Sequence, residues 1–254
     1  MEWRGCLYIM NNIQQAIADY NARAPHPFHP RAVLFDMDGV LYDSMPHHAI
    51  AWQKSMAQFG ITMTPHDAYA TEGARGFDTV REMVKRQKGI DISEERAKEI
   101  YGVKSSIFHN MPEAPIFDGV KALMQKIVDS GLSVNVVTGS AQKPLIARLN
   151  DDFGQWLAPN HITTAYDVTH GKPDPDPYLT GLRKAGDLMP WEGIVVENAP
   201  LGVRSGVAAK IFTVAINSGP LPDTALANEG CNLLYQRLSD FLNDWDILMA
   251  AVRG

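Results

Sequence analysis

Cysteine is nearly absent from this chain of 254 residues. Cys6 and Cys231 are too few for a disulfide framework and lack the spacing of metal ligands, so a reducing compartment is the simplest reading. Basic charge is also scarce. Lys and Arg number 23 against 29 Asp and Glu, a net charge of −6, which argues against a nucleic-acid surface because phosphate backbones demand clustered cations. Any phosphate bound here should be small and held locally. Long apolar runs are missing: none approaches the roughly 18 to 20 residues of a membrane span. Glu2, Arg4, Gln14, Gln15 and Asp19 interrupt the N-terminal stretch where a signal sequence would need an apolar core. These absences predict a cytoplasmic protein with neither nucleic-acid nor membrane partners. Internal repeats and low-complexity tracts are absent as well.

What is present suits a globular protein. The hydrophobic fraction of 45% is ample for a core, and the length fits one main domain with a smaller insertion. Met10, Ile13, Ile17 and Tyr20 recur at helical spacing, and three prolines between Ala24 and Pro30 stop that helix in a linker. We expect the helix to pack on the main domain. Val33-Leu34-Phe35 then runs into Asp36-Met37-Asp38-Gly39, an apolar strand ending in two carboxylates at i and i+2.

Four helical segments follow with no strand between them, the signature of an inserted subdomain. The first is opened by Ser44 and Pro46 and closed by Gly60; the second starts near Thr64-Pro65. The third covers about Phe77 to Gln87, and the fourth runs from Ser93, its N-cap, to about Phe108. Beyond Pro112 and Pro115 the pattern alternates regularly. Strands are predicted at Leu132–Thr138, Ile162–Thr164, Ile194–Asn198, Phe212–Ile216 and Cys231–Tyr235. Helices are expected over Asp118–Asp129, from Pro144, after Pro177, after a turn at Ala199–Gly202, and over Leu238–Ala251. The predicted fold is α/β, a Rossmann-like, mostly parallel sheet core with an inserted helical cap. Its expected divisions are residues 1–30 as helical extension and linker, 31–44 with 112–254 as core, and 45–111 as cap.

In a parallel sheet the strand ends share one edge, so Asp36 and Asp38, Thr138 and Gly139, Lys172, and Glu197 with Asn198 should meet in one crevice. Hard oxygen ligands, a hydroxyl, helix-start N–H groups and one ammonium suit Mg²⁺ and a phosphoryl group.

Asp36-Met37-Asp38-Gly39-Val40, Val137-Thr138-Gly139-Ser140, Gly171-Lys172-Pro173 and Glu197-Asn198-Ala199-Pro200-Leu201-Gly202 together resemble the four ordered motifs of the haloacid dehalogenase superfamily. The insertion is similar to the cap of its β-phosphoglucomutase and phosphoglycolate phosphatase branch. The resemblance implies that Asp36 is the nucleophile and forms an aspartyl-phosphate that water cleaves. It implies Asp38 as general acid and then base, its backbone carbonyl helping to hold Mg²⁺. Thr138, with Gly139 and neighbouring Ser140, would bind phosphoryl oxygens, and Lys172 would screen their charge from Asp36. Asp36, Asp38, Glu197 and Asn198 form the implied metal set. Asn198 stands where the commonest family pattern has aspartate, so either Glu197 compensates, directly or through water, or metal affinity is weaker than usual.

Within the cap, His48 matches a histidine near the active site of β-phosphoglucomutases, and Trp52 one turn on matches too. Thr71 to Asp78 resembles the specificity loop. Its Arg75 comes one place earlier than the mutase arginine, whose slot holds Gly76. A mutase must grip a second phosphate from the cap, so the expected activity is a Mg²⁺-dependent phosphatase of a small phosphorylated metabolite. The alternatives are a β-phosphoglucomutase-like phosphosugar mutase and a catalytically silent phosphometabolite-binding protein. A monomer or weak homo-oligomer is expected.

Overall fold

The computed structural model describes residues 13–140 and 143–253. Cys6, Met10 and the polar residues read before position 13 lie outside the described residues. Helix α1 occupies 13–21 and is followed by β1 (Ala32–Phe35), α2 (Met45–Ala57), α3 (Pro65–Ala70), α4 (Gly76–Lys88) and α5 (Glu94–His109). Then come α6 (Val120–Asp129), β2 (Ser133–Val137), α7 (Lys143–Phe153), β3 (Ile162–Thr163), α8 (Asp176–Lys184) and β4 (Gly193–Glu197). The chain closes with α9 (Pro200–Ala208), β5 (Phe212–Ile216), α10 (Asp223–Ala227), β6 (Leu233–Tyr235) and α11 (Leu238–Arg253).

Among the described residues six strands form one sheet in the order β3-β2-β1-β4-β5-β6, every pairing parallel. β1, β4 and β5 are buried along their length because helices cover both faces. The chain leaves β1 toward β2 on one side and later returns to β4 on the other. The carboxyl end of β1 is therefore the switch point where such sheets open a crevice. Phe35 is level with Val136 and Val196, and Asp36 N–H donates to Val196 O at 2.9 Å, so Asp36 emerges between the ends of β2 and β4.

Ile13, Ile17 and Tyr20 of α1 join the core on one sheet face, as expected. The proline linker is docked too: Phe28 is buried and its ring stacks on Phe212 at 4.5 Å. Helices α2–α5 gather a core of their own around Trp52, Met56, Met83 and Ile100. Thr64 and Asp67 close a capping box on α3, and Ser93 accepts from Arg96 N–H at the start of α5.

Several element boundaries differ from the sequence reading. α9 begins at Pro200, so the expected turn through Gly202 is already helix, because proline fits the first helical position. α6 starts at Val120, not Asp118, since Gly119 holds a left-handed φ of 88°. β6 is shorter than expected, and α10 was not foreseen. Among the described residues no helix is long and apolar enough to cross a membrane.

Candidate active site

The register of β1, β2 and β4 brings the polar strand ends together. Lys172 Nζ donates to Asp36 Oδ1 at 2.5 Å, to Glu197 Oε1 at 2.6 Å and to Val137 O at 3.1 Å. An ammonium has three donors, so Lys172 is saturated. Asp36 and Glu197 push Lys172 above its usual range, overcoming the burial that would lower it. Burial pushes Asp36 well above the usual carboxylate range. Lys172 opposes the shift, while Glu197 and Asp38 add to it. One ammonium does not neutralise the two carboxylates it bonds.

Glu197 is fully engaged by protein donors. Its Oε1 accepts from Lys172 and from Tyr178 Oη at 2.7 Å, and its Oε2 from Asn198 N–H at 3.0 Å and Ala199 N–H at 3.4 Å. Two acceptor positions per oxygen are thereby filled. The carboxylate lies so close to Gly202 that a Cβ there would stand 1.9 Å from Oε1, so a side chain at that position would have to displace Glu197. Asn198 is in the opposite condition. It is 5% exposed, and its Oδ1 is buried without a hydrogen-bond partner among the described residues. Its Nδ2 sits over Gly39, whose φ of 84° and missing Cβ, which would lie 2.0 Å away, make room for it.

Asp38 is tied to the inserted helices. Ser44, at the N-cap position of α2, makes no side-chain cap bond; its hydroxyl donates to Asp38 Oδ1 at 2.5 Å. His48 Nε2 lies 3.3 Å from the same oxygen, without the alignment of a formed hydrogen bond. Burial alone would raise Asp38, yet His48, Ser44 and Lys104 together lower it. Behind His48, Lys104 Nζ sits 2.8 Å from Nδ1, amid the rings of Trp52, Tyr101 and Phe108 at 5.0–5.7 Å. Burial pushes Lys104 below its usual range against the pull of Glu72 and Asp38.

Thr138, 5% exposed, receives Ser140 N–H on its Oγ1 at 3.0 Å and borders, with Gly139 and Ser140, the same hollow as Asp36 and Asp38. Thr138, Gly139 and Lys172 also border a neighbouring cleft of about 810 Å³ between the sheet edge and the inserted helices. Arg75 lines that cleft but not the hollow at Asp36. Its Nε is 2.7 Å from Asp78 Oδ2, and its guanidinium lies over Phe77 at 4.7 Å.

The structure thus gathers Asp36, Asp38, Thr138, Gly139, Ser140, Lys172, Glu197, Asn198 and His48, and holds Arg75 apart in the wider cleft. Sequence reasoning missed Ser44 as a partner of Asp38, Tyr178 and Lys104. Lys104 carried a signal: with Ala97 and Ile100 it continues the buried stripe of α5, where a lysine is out of place.

Residues 33–216 match the model of the haloacid dehalogenase-like hydrolases. Hexitol phosphatase A of Escherichia coli (strain K12) is 32% identical over 202 residues, 78% of this chain and 88% of that protein. Beta-phosphoglucomutase of Bacillus subtilis (strain 168) is 24% identical over 213 residues, 74% of this chain and 84% of its own. A solved structure from Bacteroides vulgatus, provisionally named beta-phosphoglucomutase, superposes with a TM-score of 0.91 at 43% identity, covering 96% of this chain and 99% of that one.

Proposed function

Because the chain belongs to the haloacid dehalogenase-like hydrolases, we propose that it is a Mg²⁺-dependent phosphatase of a small phosphorylated metabolite, working through an aspartyl-phosphate on Asp36. The observation that carries this reading is the pair of carboxylates two residues apart in opposite settings. Asp36 meets an ammonium that Glu197 also holds, whereas Asp38 is tethered to Ser44 and His48. Asp36 attacks phosphorus as the bond to the ester oxygen breaks; Asp38 gives that oxygen its proton, then takes one from the water that cleaves the aspartyl-phosphate. A phosphate dianion arriving beside Asp38 raises its pKa toward the protonated form that the first step needs. Thr138 and Gly139 hold phosphoryl oxygens. Residues 45–111 act as the cap over residues 31–44 and 112–254, excluding water from the cleft.

The donor set fits Mg²⁺. Asp36 and Glu197 share one ammonium, and the oxygen of Asn198, without a hydrogen-bond partner among the described residues, is free to accept a cation. Asp36, the backbone carbonyl of Asp38 and Asn198 would hold the ion. Glu197 serves instead by fixing Lys172. When bound, the ion supplies charge against the phosphoryl oxygens.

Hydrolysis is favoured over mutase chemistry because the cap cations facing the cleft are already paired. Arg75 is bound to Asp78, and Lys98 lies 2.5 Å from Glu94. The alternative draws on the mutase names among the relatives. Incubation with β-glucose 1-phosphate and Mg²⁺ separates the two: free phosphate supports the hydrolase, glucose 6-phosphate the mutase. A screen of phosphorylated metabolites and p-nitrophenyl phosphate tests both. Thermal stabilisation by phosphosugars without any turnover would instead identify a silent binding protein.

A further inference from the structure

Tyr178 is fully buried in the first turn of α8, six residues after Lys172, and bonds the Glu197 oxygen that does not take Asn198's backbone N–H. It touches the site at two points. Its hydroxyl donates to Glu197 Oε1 at 2.7 Å, the very oxygen that accepts from Lys172, and its ring face lies 5.1 Å from Lys172 Nζ. The ammonium is shared almost evenly, at 2.5 Å to Asp36 and 2.6 Å to Glu197. Both carboxylates are buried; two backbone N–H groups engage the other oxygen of Glu197, and Tyr178 is the donor on the oxygen that faces Lys172. A hydroxyl donating to Oε1 withdraws electron density from that oxygen and weakens its hold on Lys172.

We propose that Tyr178 is a positioning residue for phosphoryl transfer, which acts through Glu197 to keep Lys172 on Asp36. The proposal rests on the reading of Asp36 as nucleophile. Burial, and then the charges of Glu197 and Asp36, push the Tyr178 phenol well above its usual range, so it remains a donor. Without its hydroxyl, Lys172 would be drawn to Glu197 and the nucleophile would lose its cation. Attack would slow while substrate binding in the wider cleft, which Tyr178 does not line, would not.

The test is Tyr178→Phe, which keeps the ring and its packing. The variant should melt with the wild type and lower kcat about tenfold. KM should stay within about twofold, because the interaction is exerted on attack and not on binding. The loss should be the same on p-nitrophenyl phosphate and on an alkyl phosphate, since Lys172 serves the nucleophile and not the leaving oxygen. In a Glu197→Gln background the same substitution should cost less than about twofold, because the route through Glu197 is already cut. Unchanged kcat, a loss carried by KM, full additivity with Glu197→Gln, or a Phe variant that no longer folds each overturns the assignment. Wild-type protein that releases no phosphate from either ester refutes the parent reading and takes this one with it. Wild-type turnover that Tyr178→Phe leaves intact refutes this one alone.

Discussion

Two lysines of this molecule are buried to the same degree and held in opposite ways. Lys172, at the sheet edge, is 4% exposed and bonds two carboxylates and a carbonyl; Lys104, in the inserted helices, is 3% exposed and meets an imidazole nitrogen and three aromatic faces. Burial penalises both ammonium groups, and the partners decide the outcome: Lys172 is raised and Lys104 lowered. The sheet edge is built to keep a fixed charge against its acids. The cap presents a cation that is costly to keep charged and is linked through His48 to Asp38.

Replacing each lysine by methionine sharpens the contrast most. Lys172→Met leaves Asp36 and Glu197 buried without their cation, and should cost about 3–5 kcal/mol in urea unfolding. It should also lower kcat on p-nitrophenyl phosphate by about a hundredfold or more. Lys104→Met replaces a poorly compensated charge with an apolar chain among aromatic rings, so stability should change by less than about 1 kcal/mol or rise. Equal losses of stability in the two variants would erase the distinction.

A second effect separates their chemistry. Lys104 is linked through His48 to Asp38, the residue proposed to serve the leaving oxygen. Lys104→Met should slow an alkyl phosphate about tenfold while p-nitrophenyl phosphate, whose leaving group needs no proton, changes less than about twofold. Lys172→Met should slow both equally. Steady-state kinetics on the two esters measures this ratio.

The smallest effect concerns the stability of the helical insertion at low pH. Burial would raise Asp67, but bonds from Thr64 and Arg86 outweigh it and bring the carboxyl to about 2, below its unfolded value of 3.8. A depressed folded pKa stabilises above the unfolded value, and that contribution fades as pH falls from about 4 toward 2. At this partly solvated position it should amount to no more than about 1 kcal/mol. Asp67→Asn should remove that part of the pH dependence in urea titrations, while leaving kcat at neutral pH unchanged.

The core was legible because its functional groups follow directly on apolar strands. Val33-Leu34-Phe35 and Ile194-Val195-Val196 announce buried strands, and Asp36, Thr138 and Glu197 are conspicuous because such strands do not need polar ends. What escaped was set by particular side-chain contacts that the three-dimensional arrangement creates. Ser44 reads as a helix cap, but its hydroxyl is spent on Asp38. Tyr178 reads as core, and its hydroxyl finds Glu197 across the crossover. Glu197 looks like a free ligand until its four donors are placed around it. Each depends on packing between elements, which local periodicity does not encode.

The attack by Asp36 is the step on which the account rests. Rapid acid quenching of the protein with Mg²⁺ and p-nitrophenyl phosphate, followed by peptide mass mapping, observes it. The account predicts a phosphoryl group on the peptide carrying Asp36, and neither that group nor phosphate release in Asp36→Asn. A phosphoryl group on another residue, or undiminished phosphate release by Asp36→Asn, would contradict it.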